Sequence, residues 1–231
     1  MSRLENEQFV RKFFAEARPR FVALARRLVD DAKASVDEAS EIYERMIPEM
    51  TYVDEPNHPM ASSVFICNGS LSLYLALKPR GISAHDFGSA LLEAMASAPF
   101  PEPKPDGPAD TRPVKERFAD FIKIANDSLT QALPGEFVYE AVFSESGEYD
   151  WGVNVKSCAI CSAFSKHDAM DLVPYMCATD DVMSDRGKQG LRRSGTIALG
   201  ASHCDFRYKR GGEPLHLAPQ YPDRIRVAEE D

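Results

Sequence analysis

The chain has 231 residues, 44% hydrophobic and 27% charged, which fits one packed domain, or one domain with a helical extension. That mix excludes a disordered tail, a collagen-like repeat and a disulfide-dense miniprotein. Lys and Arg number 27 against 36 Asp and Glu, a net charge of −9, so no overall attraction draws the chain to phosphate backbones and nucleic acid is not an expected partner.

The first half reads as helices. Val10, Phe13, Phe14, Ala17, Phe21, Leu24 and Leu28 recur at the 3.6-residue period of a buried stripe between Glu5 and Leu28, with Pro19 expected to kink the run or to open a second helix. A further helix is expected over Ser35 to Arg45, a loop over Thr51 to Pro59, and a buried helix over Leu71 to Leu77 that ends before Pro79 and Gly81. Ser83-Ala-His-Asp86 has the form of a helix start, with Phe87, Ala90, Leu91, Ala94 and Met95 on one face. Six prolines fall between Pro99 and Pro113, which predicts a stiff connection between region 1–98 and region 114–231 of one compact unit.

Beyond the connection, Val114 to Leu129 forms one more amphipathic pattern through Phe118, Phe121, Ile122, Ala125 and Leu129. Phe137 to Phe143 and Tyr149 to Val155 are aromatic and β-branched around Ser144 to Glu148, the signature of a hairpin. Asp168 to Ser184 returns to helix, with Pro174 in its first turn or bending it. Arg193 to Leu199 and His203 to Tyr208 read as a second hairpin around Gly200-Ala201-Ser202. Helices first, then strands with an inserted helix, predict an α+β fold: a helical N-terminal half packed on a C-terminal antiparallel sheet. No apolar run approaches the ~20 residues of a spanning helix. The N-terminal MSRLENEQFVRK also lacks the apolar core of a signal peptide, so a cytoplasmic, non-membrane protein is expected.

Chemistry concentrates in the last third. Of five cysteines, Cys158, Cys161, Cys177 and Cys204 fall within 47 residues, and an odd total argues against a disulfide framework. Cys177 precedes Asp180 and Asp181 by three and four residues, which places a thiol and at least one carboxylate on one helical face. Strand alternation sends Cys204, Phe206 and Tyr208 to one face, expected to be buried, and Asp205 and Arg207 to the other, where those two can pair.

Two readings stay open. Cys158, Cys161, Cys177 and Cys204 supply four thiols for tetrahedral zinc or an iron–sulfur cluster, although Cys177 and Cys204 are each solitary. Alternatively one thiol is a nucleophile, which needs a base or cation beside it; His203, His167, Asp180 and Arg193 are the available types. Among the histidines, His58, His85 and His216 read as loop, capping and tail residues, and His203, beside Cys204, is the candidate of choice. Arg192, Arg193, Arg207 and Lys209 are the side chains suited to a substrate carboxylate.

The C-terminal motifs are Gly152-Val153, Cys158-Ala-Ile-Cys161, Val173-Pro-Tyr-Met-Cys177 with Asp180, and Gly190-Leu-Arg-Arg193. Thr196-Ile-Ala and Cys204-Asp-Phe-Arg-Tyr-Lys-Arg-Gly-Gly212 complete the set. Together they resemble a bacterial family, the L-2-amino-thiazoline-4-carboxylic acid hydrolases. Leu73-Tyr74 to Leu77-Lys78 and the Gly81-Ile-Ser turn extend the likeness toward the N-terminus. The resemblance implies hydrolytic opening of a cyclic amidine to an N-carbamoyl thiol. By position it carries over Cys177, Asp180, Arg193, Thr196, Cys204, Asp205 and Arg207, with Cys158 and Cys161. This chain has Leu199 where the family more often has an acidic residue, and Ser194-Gly195 in place of a threonine-rich stretch.

The leading expectation is a hydrolase acting on a small cyclic C–N substrate that carries a carboxylate. Cys177 or Cys204 is the nucleophile or a ligand, with His203 among the catalytic candidates, Asp180 the acid/base and Arg193 the carboxylate anchor, with Thr196 and Arg207 also binding substrate. That reading names no definite cofactor. The alternative is a non-catalytic binding or sensing domain in which the four thiols hold zinc or an iron–sulfur cluster.

Overall fold

The computed structural model describes residues 2–99 and 112–215. Most of the proline-rich connection and His216 lie outside them. The fold is α+β, helices followed by a four-stranded antiparallel sheet. The chain divides into two compact units, residues 1–91 with 159–176, and residues 92–158 with 177–231.

In the first unit, α1 (Arg3–Ala25), α2 (Ala32–Met46) and α3 (Ala61–Leu77) pack on one another, and α7 (Ala159–Ser165) joins α3. Ser2 and Glu5 cap α1 reciprocally. Pro19 neither ends nor divides α1. Proline removes one hydrogen bond to the residue four earlier, and both Pro19 and Ala15 face solvent, where water can serve the freed carbonyl. Helix α3 begins ten residues before the expected Leu71, because Val64, Phe65, Leu71, Leu73, Tyr74 and Leu77 are buried around its whole circumference and no single stripe marks its start. Ser83 opens α4 (Ala84–Ser97) as expected: its Oγ accepts from the Asp86 backbone N–H at 3.0 Å and donates to the Asp86 carboxylate at 2.6 Å.

The second unit holds the sheet. The expected helix after Pro113 is two, α5 (Val114–Arg117) and α6 (Ala119–Gln131), broken at Phe118, whose ring stacks on Trp151 at 4.8 Å. Strands β1 (Val138–Val142) and β2 (Trp151–Ser157) form the expected hairpin. Helix α6 packs on β1 through Phe121 against Tyr139, while Ser128 Oγ accepts from the Tyr139 N–H at 3.1 Å. The sheet order is β1-β2-β4-β3, with β3 at Leu191–Arg192 and β4 at Cys204–Tyr208. Val155 faces Cys204, Val153 faces Phe206 and Trp151 faces Tyr208, so these side chains share one face. Glu140, Asn154 and Asp205 line the other. Gly152 is required in β2: a Cβ there would stand 2.4 Å from the Phe206 carbonyl oxygen.

Ala159–Ser165, which carries Cys161 of the CxxC segment, is helix α7. One sequence expectation is corrected. The second hairpin does not include Arg193 to Leu199, since β3 is only two residues long and Ile197–Leu199 is a 3₁₀ turn. The chain leaves the sheet because the Ser194 and Gly195 N–H groups donate to the Asp205 carboxylate, at 2.9 Å each, instead of to a neighbouring strand.

Candidate functional site

Helix α8 (Val173–Arg186) starts at Val173, with Pro174 in its first turn where the missing N–H costs nothing. From Cys177 onward it lies in the second unit and presents the Cys177 carbonyl and the carboxylates of Asp180 and Asp181 within about one turn. Arg193, just past β3, turns inward onto them. Its side chain is 0% exposed. Nη2 lies 2.7 Å from Asp181 Oδ2 and donates to the Cys177 carbonyl at 2.9 Å, while Nη1 donates to Asp180 Oδ2 at 3.3 Å. The guanidinium centre stands 4.8 Å from the Phe206 ring centroid. Two carboxylates thus share one sealed cation.

The two acids differ in access. The Asp181 side chain is 8% exposed, whereas Asp180 keeps 47% of its side-chain surface open. Burial nevertheless pushes the Asp180 carboxyl up to about 6; the Arg193 charge opposes that rise and Asp181 adds to it. Water reaching the open part of this side chain solvates some of its charge. A carboxyl that water reaches, with a proton affinity near neutrality, is suited to proton transfer.

Three thiols stand around this pair. Cys177 and Cys158 are partly buried and Cys204 is buried. Burial raises the Cys177 thiol well above its ordinary value, the Asp180 charge raises it further, and Arg193 only partly offsets them; Cys158 and Cys204 are near enough to contribute. Cys204 is pushed up to about 11 by burial, opposed by the Ile197 N–H, which donates to its Sγ at 3.2 Å. Both are therefore neutral thiols at physiological pH and not resting thiolates. Tyr208, on the same sheet face, is raised by burial and by Asp180 and Asp181, and remains a neutral phenol. Sequence reasoning placed Tyr208 on the buried face but gave it no part in the site; the alternation that placed it was the available signal.

The remaining candidates fall elsewhere. Asp205 does not pair with Arg207 as expected. Its carboxylate takes the Ser194 N–H and hydroxyl and the Gly195 N–H; these bonds outweigh its burial and lower its pKa. Arg207 donates to Asn154 Oδ1 at 2.8 Å and lies over Tyr149, on the face away from Cys204. His203 Nδ1 is 3.0 Å from Ser202 Oγ, and the ring is close enough to Glu140 to help lower that carboxylate, after Lys156 and Asn154. Thr196 is fully buried and its Oγ1 has no hydrogen-bond partner among the described residues. Cys161 lies on α7 in the first unit, where His85 Nδ1 also meets Tyr175 Oη at 2.9 Å. Among the described residues, no group of three or more His, Cys, Asp or Glu side chains could hold a metal ion, so the four thiols are not gathered into such a site.

Most of these residues belong to one stretch of sequence. Residues 108–208 match the family model of L-2-amino-thiazoline-4-carboxylic acid hydrolase. The match supports the resemblance over the segment that carries Cys158, Cys161, Cys177, Asp180, Arg193, Thr196 and Cys204, while the likeness noted around Leu73 and Gly81 lies outside it. No curated protein and no solved structure matches the chain. No helix among the described residues is long and apolar enough to cross a membrane.

Proposed function

We propose that this chain is a hydrolase that opens a small cyclic amidine-type ring bearing a carboxylate, with Asp180 as the group that moves the proton. The observation that carries the reading is the placement of Asp180: accessible, anchored by a sealed Arg193, with its carboxyl lifted to about 6, within the segment that matches a hydrolase family. For an aminothiazoline, water adds to the carbon between sulfur and the two nitrogens. Asp180 takes a proton from that water as the C–O bond forms. The C–S bond then breaks, the sulfur leaves with the proton returned by Asp180, and the remaining O–H proton passes to the ring nitrogen as the carbonyl forms. Both C–N bonds survive, and the product is an N-carbamoyl thiol, the substrate plus one water.

This reading takes water as the nucleophile, since burial raises the Cys177 and Cys204 thiols and disfavours a resting thiolate. Turnover of L-2-amino-thiazoline-4-carboxylate to N-carbamoyl-cysteine tests the reading. As a base, Asp180 must be ionised, so kcat/KM is expected to rise with pH through about 6 and then level. Asp180→Asn is expected to lose roughly 10²- to 10⁴-fold and to abolish that limb. A variant that keeps both the rate and the limb would overturn the assignment. Cys177→Ser is expected to retain measurable turnover, and its complete inactivity in folded protein would instead favour a thiolate route.

A further inference from the structure

Deepening that reading and resting on it, we infer that Asp180 is the specificity-determining residue of the site and selects the cationic, N–H-bearing end of a substrate, while Arg193 is a positioning residue and not a carboxylate anchor. Arg193 is of the residue type that binds carboxylates, but its side chain is 0% exposed and its guanidinium already holds Asp181 at 2.7 Å, Asp180 at 3.3 Å and the Cys177 carbonyl at 2.9 Å. Nη1 and Nη2 are thus occupied, and the side chain offers no exposed surface to a substrate carboxylate.

The charge that solvent does reach is the opposite one. Asp180 is 47% exposed, its Oδ2 is held by Arg193, and its Oδ1 accepts no hydrogen bond among the described residues. Two carboxylates against one guanidinium leave the cluster one negative charge, and the neighbouring thiols and Tyr208 are neutral. An open carboxylate oxygen on a net-negative cluster repels an anion and accepts hydrogen bonds from a protonated amidine, whose adjacent N–H groups diverge from one carbon. Asp181, by sharing Arg193, keeps Asp180 from being fully neutralised.

Two probes split the substrate's features: 2-amino-2-thiazoline, a cation without a carboxylate, and 2-thiazoline-4-carboxylate, an anion without the amidine. Calorimetric titration of the full chain is expected to show the cation binding more tightly. Asp180→Asn is expected to weaken the cation about ten- to a hundredfold, the range of a hydrogen bond to a charged group. That variant removes the site's open negative charge, so the anion should bind it no worse than it binds the wild type. A thermal melt of the variant shows whether it is folded, and the wild-type ranking of the two probes needs no variant. Equal or preferential binding of the anion by wild type, no binding of either probe, or an unchanged cation affinity in folded Asp180→Asn would each overturn the inference. Asp180-dependent cation binding without turnover of the aminothiazoline carboxylate would leave this inference standing and remove the hydrolase. Turnover with cation binding indifferent to Asp180 would do the reverse.

Discussion

Removing Asp181 tests whether Arg193 is held as a buried charge. The Arg193 side chain is sealed and Asp181, itself 8% exposed, lies 2.7 Å from Nη2. At about 4 Å between charge centres and an effective dielectric of about 20, that attraction is about 4 kcal/mol. Truncation in Asp181→Ala leaves Asp180 and the Cys177 carbonyl to hold the guanidinium, and Asp180 shares its charge with water. The expected loss is therefore about 3 kcal/mol, the lower end for breaking a buried pair. In a protein of this size each kcal/mol lowers Tm by about 2–4 °C, giving roughly 6–12 °C. Arg193→Met, which leaves Asp181 unpaired in a buried place, should cost a similar amount. The double variant removes both charges, and the thioether chain can keep the contact with Phe206. It is expected to melt above the sum of the single losses by at least half of one of them. Thermal and urea melts of the four proteins measure this. Strictly additive losses, or a change below 1 °C in Asp181→Ala, would refute a sealed, mutually dependent pair.

Thiol chemistry and acid sensitivity give two further expectations. Burial holds Cys177 and Cys204 protonated, so iodoacetamide should modify both slowly at pH 7 and faster as pH climbs toward about 11 for Cys204; mass mapping that finds either labelled rapidly at neutral pH would contradict the raised thiols. Asp205 is lowered in the folded chain, so it binds its proton less tightly there than when unfolded. Its contribution to stability is present above its unfolded value near 3.8 and is lost as pH falls below it through the folded value. Asp205→Ala should cost about 1–2 kcal/mol at pH 7, through three donors on Ser194 and Gly195 losing their acceptor, and less at pH 3; a loss that does not shrink in acid would count against it.

The elements that were legible in the sequence are those whose pattern repeats within a few residues. The stripe of Val10, Phe14, Phe21 and Leu24 marked α1, and the aromatic and β-branched runs around Ser144 to Glu148 marked the first hairpin. The second hairpin misled because Thr196, Ile197 and Leu199 have strand-like composition, while the path of the chain is set by Asp205, about ten residues away, drawing Ser194 and Gly195 onto its side chain. Phe118 broke a helix for a comparable reason, a ring contact with Trp151 that no local window contains.

The site was half legible for the same physical reason. The i, i+3 spacing of Cys177 and Asp180 is a local fact, and α8 preserves it. The role of Arg193 is not local, because it depends on how many acceptors already surround the guanidinium. A surface arginine between two aspartates would still have donors turned to water and could take a ligand carboxylate. Sealing the same side chain against Phe206 and α8 commits Nη1 and Nη2 to the protein, so the cation becomes a means of holding Asp180 in place. The sheet contributes through Cys204 and Tyr208, which β4 turns to the same face as Phe206, and both are kept neutral by burial. Arg193 is thus already paired, and Cys177, Cys204 and Tyr208 are neutral. On the proposed reading, the half-exposed carboxylate is the charge of this cluster that a substrate meets, and it would set both the sign of the ligand and the group that moves the proton.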